Sequence, residues 1–98
     1  MIPLSPDTAE RVNKLFPDLE DARVVAELLE RECADNLPLW HGTTPEHFER
    51  IRYAVLKLSE GDLEKLNKAI AIAKIDWRDS LVAAGFGHQV ESYRWWVP

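Results

Sequence analysis

Four side chains in this sequence carry metal-ligating or nucleophilic chemistry: Cys33, His41, His47 and His88. Zinc accepts that donor set. Structural zinc sites draw on close pairs such as C-x-x-C, whereas 7, 5 and 40 residues separate successive candidates here. The spacing argues against a preformed metal site, and no metal or other cofactor is expected. Cys33 and His41 would form a nucleophile–base pair only if the thiol ionised readily. Cys33 falls near the end of a helix among Glu30, Glu32 and Asp35. Their negative field opposes the thiolate. Glu46 and Glu49, with His47 and Arg50 between and beside them, offer paired carboxylates for acid–base work. At the start of a helix such carboxylates ordinarily complement the dipole. No coherent catalytic set emerges, and the balance falls against an enzyme.

The tripeptide His41-Gly42-Thr43 resembles the His-Gly-Thr of ADP-ribosyltransferases, where histidine and glycine help hold NAD. That family implies a split β-sheet and a later strand bearing a glutamate. This chain reads as helical and is too short, so Gly42 is better assigned to a turn before the Thr44 cap. A looser alternative remains: a small ligand-binding protein or enzyme with its pocket under the 37–43 loop, using His41 and His47.

The sharpest candidate surface is aromatic. Tyr93-Arg94-Trp95-Trp96 closes the sequence, and three of the four tryptophans (Trp77, Trp95, Trp96) lie in its last quarter. Tryptophan, tyrosine and arginine dominate binding hot spots. A tail carrying all three either caps a small core or docks on another chain. The two roles are compatible if one indole faces in and the other out. Trp40 is a further candidate anchor. The reading is a helical protein-interaction module, with a protein partner or self-association expected. Aromatics with arginine also suit single-stranded nucleic acid. The net charge of −5 argues against it, because non-specific nucleic-acid binding rests on neutralising phosphates.

Local signals place these residues on helices. Ser5 caps a first helix, with Pro6 at its first position and Asp7 in its first turn. Ala9, Val12, Leu15 and Phe16 form the inner stripe, and Pro17 ends it. Asp18 caps a second helix over roughly 19–35, whose inner stripe runs Leu19, Ala22, Val25, Ala26, Leu29, Cys33. Asn36 and Pro38 stop it, and a loop over 36–44 carries Trp40. Thr44-Pro45-Glu46 starts a third helix with Phe48, Ile51, Val55 and Leu58 inward and Arg50, Arg52 and Lys57 off that stripe. Ser59-Glu60-Gly61-Asp62 breaks the pattern, with Asp62 or Ser59 as the cap of the next helix. The fourth helix turns Leu63, Leu66, Ala69, Ile70 and Ala73 inward. Ile72 and Ile75 widen its apolar face, which predicts a central position for it. Asp76 caps a fifth helix that Gly85 closes, with Phe86 packing back. Arg78 is free to stack on an indole or to meet the acidic first half. A ribbon pairing 37–40 with 93–97 is disfavoured by Pro38.

The stretch 72–87, centred on Asp76-Trp77-Arg78-Asp79 and Ala83-Ala84-Gly85-Phe86-Gly87, resembles segments of small bacterial proteins that carry no assigned function. The resemblance implies a free-standing bacterial cytoplasmic protein and transfers no catalytic residue. The 98 residues suffice for one domain. No apolar run is long enough for a membrane span. The first residues lack a signal-peptide pattern, and a lone cysteine fits a reducing compartment. Residues 1–49 hold 11 acidic and 4 basic side chains, residues 50–98 hold 6 and 8, so the halves are expected to pack with complementary charge. The expected fold is all-α: a single compact bundle of about five short helices over 1–98, with an ordered aromatic C-terminal tail.

Overall fold

Four helices begin where a short polar side chain satisfies the first backbone donors. In the computed structural model, which describes residues 2–34, 37, 45–87 and 92–98, α1 spans Pro6–Leu15 and Ser5 Oγ accepts from Thr8 N at 3.2 Å. For α2 (Leu19–Glu32), Asp18 Oδ1 accepts from Glu20 N and Asp21 N at 2.9 and 3.1 Å. α3 spans Pro45–Ser59. Asp62 Oδ1 caps α4 (Leu63–Ile75) at Lys65 N, and Asp76 Oδ1 caps α5 (Trp77–Ala83) at Arg78 N, both at 3.0 Å. Such a cap contributes about 1 kcal/mol. A short 3₁₀ turn, η1 (Ser92–Trp95), completes the order. The described residues contain no strand, so the 37–40 to 93–97 ribbon does not form through 93–97, and 38–40 lie outside them.

Gly85 closes α5 as expected. At φ +82° it lets Phe86 N reach Leu81 O at 2.8 Å and Gly85 N reach Val82 O at 3.0 Å. This reverse turn satisfies two orphan carbonyls and tucks Phe86 into the core. The α3–α4 turn is tighter. Glu60 and Gly61 both take positive φ, and Ser59 Oγ donates to Leu56 O at 2.6 Å while accepting from Gly61 N.

The centre of the bundle is α3, and this corrects the expectation for α4. Every residue from Ile51 to Leu56 is buried, because α1, α4, α5 and η1 all pack around that stretch. In α4 the inner stripe of Leu66, Ala69, Ile70 and Ala73 is buried as predicted. Ile72 and Ile75 stand 41% and 77% exposed. They widen the helix's apolar face, and no described element covers it. Leu19 also leaves its predicted stripe: as the first residue of α2 it sits at the rim of the groove between α1 and α2 and is 83% exposed. α2 ends at Glu32, so Cys33 is its C-cap rather than a helical residue, though fully buried.

Arg52 is the largest departure. Read as off the inner stripe, it is 2% exposed. Its guanidinium donates to Cys33 O and Pro3 O at 3.0 Å each and to Ile2 O at 2.6 Å. One side chain therefore closes the end of α2 and fastens the first residues to α3. Burying a cation is tolerated when its donors are used in this way. Arg78 does not reach the acidic half. It returns to its own cap, with Nε and Nη2 on the Asp76 carboxylate at 2.9 and 2.8 Å. Across the halves, Lys74 Nζ meets Glu32 at 2.7 Å. Pairs such as Lys14–Glu10 and Lys68–Glu64 are local helix pairs.

Candidate functional site

The aromatic tail is held by α1 and α3. Tyr93 is 1% exposed and meets the Tyr53 ring edge-on, centroids 5.2 Å apart and planes at 70°. Trp96 packs on the same ring at 6.0 Å, half-buried. Arg11 of α1 also lies over that ring, its guanidinium 4.4 Å from the Tyr53 centroid, and its Nε donates to Trp96 O at 3.0 Å. Tyr53 is thus enclosed by two aromatics and a cation, a favourable arrangement for its quadrupole.

The turn separates its two indoles. Trp96 is anchored, whereas Trp95, the preceding residue, is 84% exposed. Arg94 is exposed and its Nε reaches Tyr93 Oη at 3.3 Å. Among the expected anchors, Tyr93 is core, Trp96 is mostly structural, and Trp95 and Arg94 face outward. Trp40 and His41 lie outside the described residues, as does His88. His47 is exposed at the start of α3 and borders a cavity of about 40 Å³ with Arg50, Ile51, Trp77 and Leu81. That volume holds a water or two and no larger ligand.

Beside Arg94 lies a larger cleft, about 300 Å³, lined by Asp7, Arg11, Glu46, Glu49, Tyr53 and Arg94. α1 contributes the Asp7–Arg11 pair one turn apart, α3 contributes Glu46, Glu49 and Tyr53, and η1 contributes Arg94. Arg11 is fixed by its bonds to Trp96 O and, through Nη1, to Asp7 O at 3.0 Å. Glu49 accepts from Ser5 Oγ at 2.8 Å, which ties the α1 cap to the cleft wall. Asp7 and Glu46 form no ion pair with a described residue. Burial, reinforced by the nearby Glu49 and Asp7 charges, pushes the Tyr53 phenol up to about 12. Burial raises Tyr93 as well.

From the sequence, Asp7 reads as a helix-dipole partner, Glu46 and Glu49 as paired carboxylates whose ordinary role is the same, and nothing singles out Arg11 or Tyr53. The signal was present in the spacing: Glu46, Glu49 and Tyr53 recur at steps of three and four along one face of α3. Cys33 does not belong to any such site. Burial is the main cause that pushes its thiol up to about 12, with Glu32 adding a smaller push. The carboxylates and the helix end, which the sequence offers as the cause, are secondary to burial. Among the described residues no three His, Cys, Asp or Glu side chains gather to hold a metal ion, and no helix is long and apolar enough to cross a membrane.

No family model matches the chain, and no curated protein and no solved structure matches it either.

Proposed function

We propose that this chain is a helical protein-interaction module whose contact surface is η1, with Trp95 as the apolar anchor and Arg94 beside it. The observation that carries this reading is the division of labour between neighbours: Trp96 is packed on Tyr53 while Trp95 stands 84% exposed on the same short turn. An exposed indole on a fixed turn gives up little conformational freedom on docking. Burying it in a partner's pocket recovers about 3 kcal/mol. Leu19, Ile75 and Val82 are also exposed, yet none of them has this bracket of anchored aromatics. The charged cleft next to Arg94 supplies the polar rim that surrounds such anchors. Residence in the cytoplasm of a bacterium belongs to the same proposal, in keeping with the single buried thiol.

Native mass spectrometry and sedimentation on the untagged protein and its W95A variant test the reading. A dimer or a stoichiometric complex with the wild type, lost in W95A with helical content unchanged, supports it. Assembly that is absent in the wild type, or unaltered by W95A, rejects it.

A further inference from the structure

We infer that residues 2–4 form a latch: an extended strap that releases as a unit while the helices stay packed, and whose release admits reagents to the buried thiol of Cys33. The latch is separate from the contact surface at Trp95.

Two side chains hold the strap, and both hold its main chain. Ile2 N and Leu4 N donate to Glu30 of α2, to its carbonyl oxygen at 3.4 Å and to its carboxylate at 3.2 Å. Arg52 of α3 donates to Ile2 O at 2.6 Å and to Pro3 O at 3.0 Å. Pro3 has no N–H that needs a partner. Each anchor serves two strap residues, so the loss of one loosens the neighbours as well, and residues 2–4 let go together. Little apolar packing opposes this. Pro3 is exposed, Ile2 and Leu4 are half-buried, and of the three Leu4 packs on the core. A cleft of about 290 Å³ borders the strap together with Thr8 of α1 and Phe48 of α3, so the strap is not packed on all sides. Segments with few buried apolar contacts are the first to open.

The hinge is fixed. Ser5 is extended at φ −67° and ψ 158°, accepts from Thr8 N to cap α1, and donates through Oγ to Glu49 at 2.8 Å. Motion stops at that residue and leaves α1 in place. Pro3 and Pro6 bias Ile2 and Ser5 toward extended backbone, so the freed strap keeps the shape in which it closes again.

What the latch covers follows from Arg52. Its Nε donates to Cys33 O at 3.0 Å, and Cys33 is fully buried at the C-cap of α2. In the closed state the guanidinium is shared among three carbonyls, two of them on the strap, and the residue is 2% exposed. Release of the strap takes away two of those acceptors. A buried donor without an acceptor is costly, so the guanidinium turns toward water and uncovers the end of α2 beside the thiol.

The test follows alkylation of Cys33 by iodoacetamide in the full chain, at one pH and at urea concentrations below the unfolding transition, together with amide exchange at Ile2 and Leu4. A rate almost independent of urea is expected there, because releasing three residues exposes little surface. Glu30→Ala removes the carboxylate that Leu4 N uses and should speed both alkylation and exchange at Leu4 about tenfold. Glu30→Gln keeps an acceptor oxygen and should give back part of that difference. Ile70→Val weakens the core on α4, away from the strap, and should leave the rate in dilute urea unchanged. An alkylation rate that follows the steep urea dependence of global unfolding overturns the inference, as does equal acceleration by Ile70→Val. Faster exchange at Leu4 with no change at Cys33 overturns it too, since the strap would then move without covering the thiol.

Discussion

Arg11 and Trp96 lie 85 positions apart and are joined by one hydrogen bond, Nε to the Trp96 carbonyl oxygen at 3.0 Å. Through it the first helix fixes the backbone of the last turn, and with it the direction in which Trp95 points. The two neighbouring tryptophans should therefore respond differently to truncation. W96A removes a ring from Tyr53 and should cost about 2 kcal/mol. W95A should lie within about 0.5 kcal/mol of the wild type. Urea midpoints for both variants check this, and equal losses would place Trp95 in the core.

Arg52 offers the largest single-residue effect. R52M keeps much of the stem but leaves the Cys33, Pro3 and Ile2 carbonyls without their donor. A loss of about 3 kcal/mol is expected. R52K, with a point charge and a shorter reach, should recover only part of it. Hydrogen exchange should show the first residues loosening before α3 does.

Stability should fall on the alkaline side. Cys33 and Tyr53 both have pKa values raised to about 12, from ordinary values of 9.0 and 10.0. The folded state thus holds protons that the unfolded chain releases. Their contribution is fully present below about pH 9 and is lost progressively as the pH climbs to about 12. Thermal melts from pH 8 upward should show a melting temperature that drops across this window, and a flat profile would contradict it. At neutral pH the Cys33 thiol should react with thiol reagents only as fast as the protein opens.

The α3–α4 turn separates two backbone effects. A Cβ on Gly61 would come within 3.0 Å of Leu15 O, at φ +78°. Gly61→Ala should cost about 1–2 kcal/mol. Glu60 already holds φ +52° without a glycine. Glu60→Gly should be neutral or stabilising by about 0.5 kcal/mol, relief of the backbone outweighing the entropy of the unfolded chain. Melting temperatures of the two variants should move in opposite directions or differ by several degrees.

What was readable in the sequence was local. Ser5, Asp18, Asp62 and Asp76 announce helix starts within a span of three residues, and Gly85 with Phe86 announces an end. Such signals need no knowledge of the rest of the chain. The order of burial did not follow from apolar pattern alone. Ile72 and Ile75 are as apolar as core residues, and only the number of neighbouring elements leaves them in water. Arg52 looked like a surface cation because its three carbonyl partners lie 19 to 50 positions away. The tail's residue types suggested contact chemistry, and the prospect of one indole in and one out matches Trp96 and Trp95. The cleft has no signature in the sequence, because α1, α3 and η1 each contribute polar residues that make ordinary sense on their own element.

The clamps at Arg52 and Tyr53 have a topological consequence. Consecutive residues of α3 grip opposite ends of the sequence, Arg52 at Ile2 and Pro3, Tyr53 at Trp96. The chain runs almost in a ring, its two ends brought to neighbouring positions on one helix. A linker joining the segment after Trp96 to Ile2 would close that ring. New ends could then be cut at the exposed Glu60–Gly61 turn, giving a rearranged chain with the same bundle, the same cleft and Trp95 still facing outward.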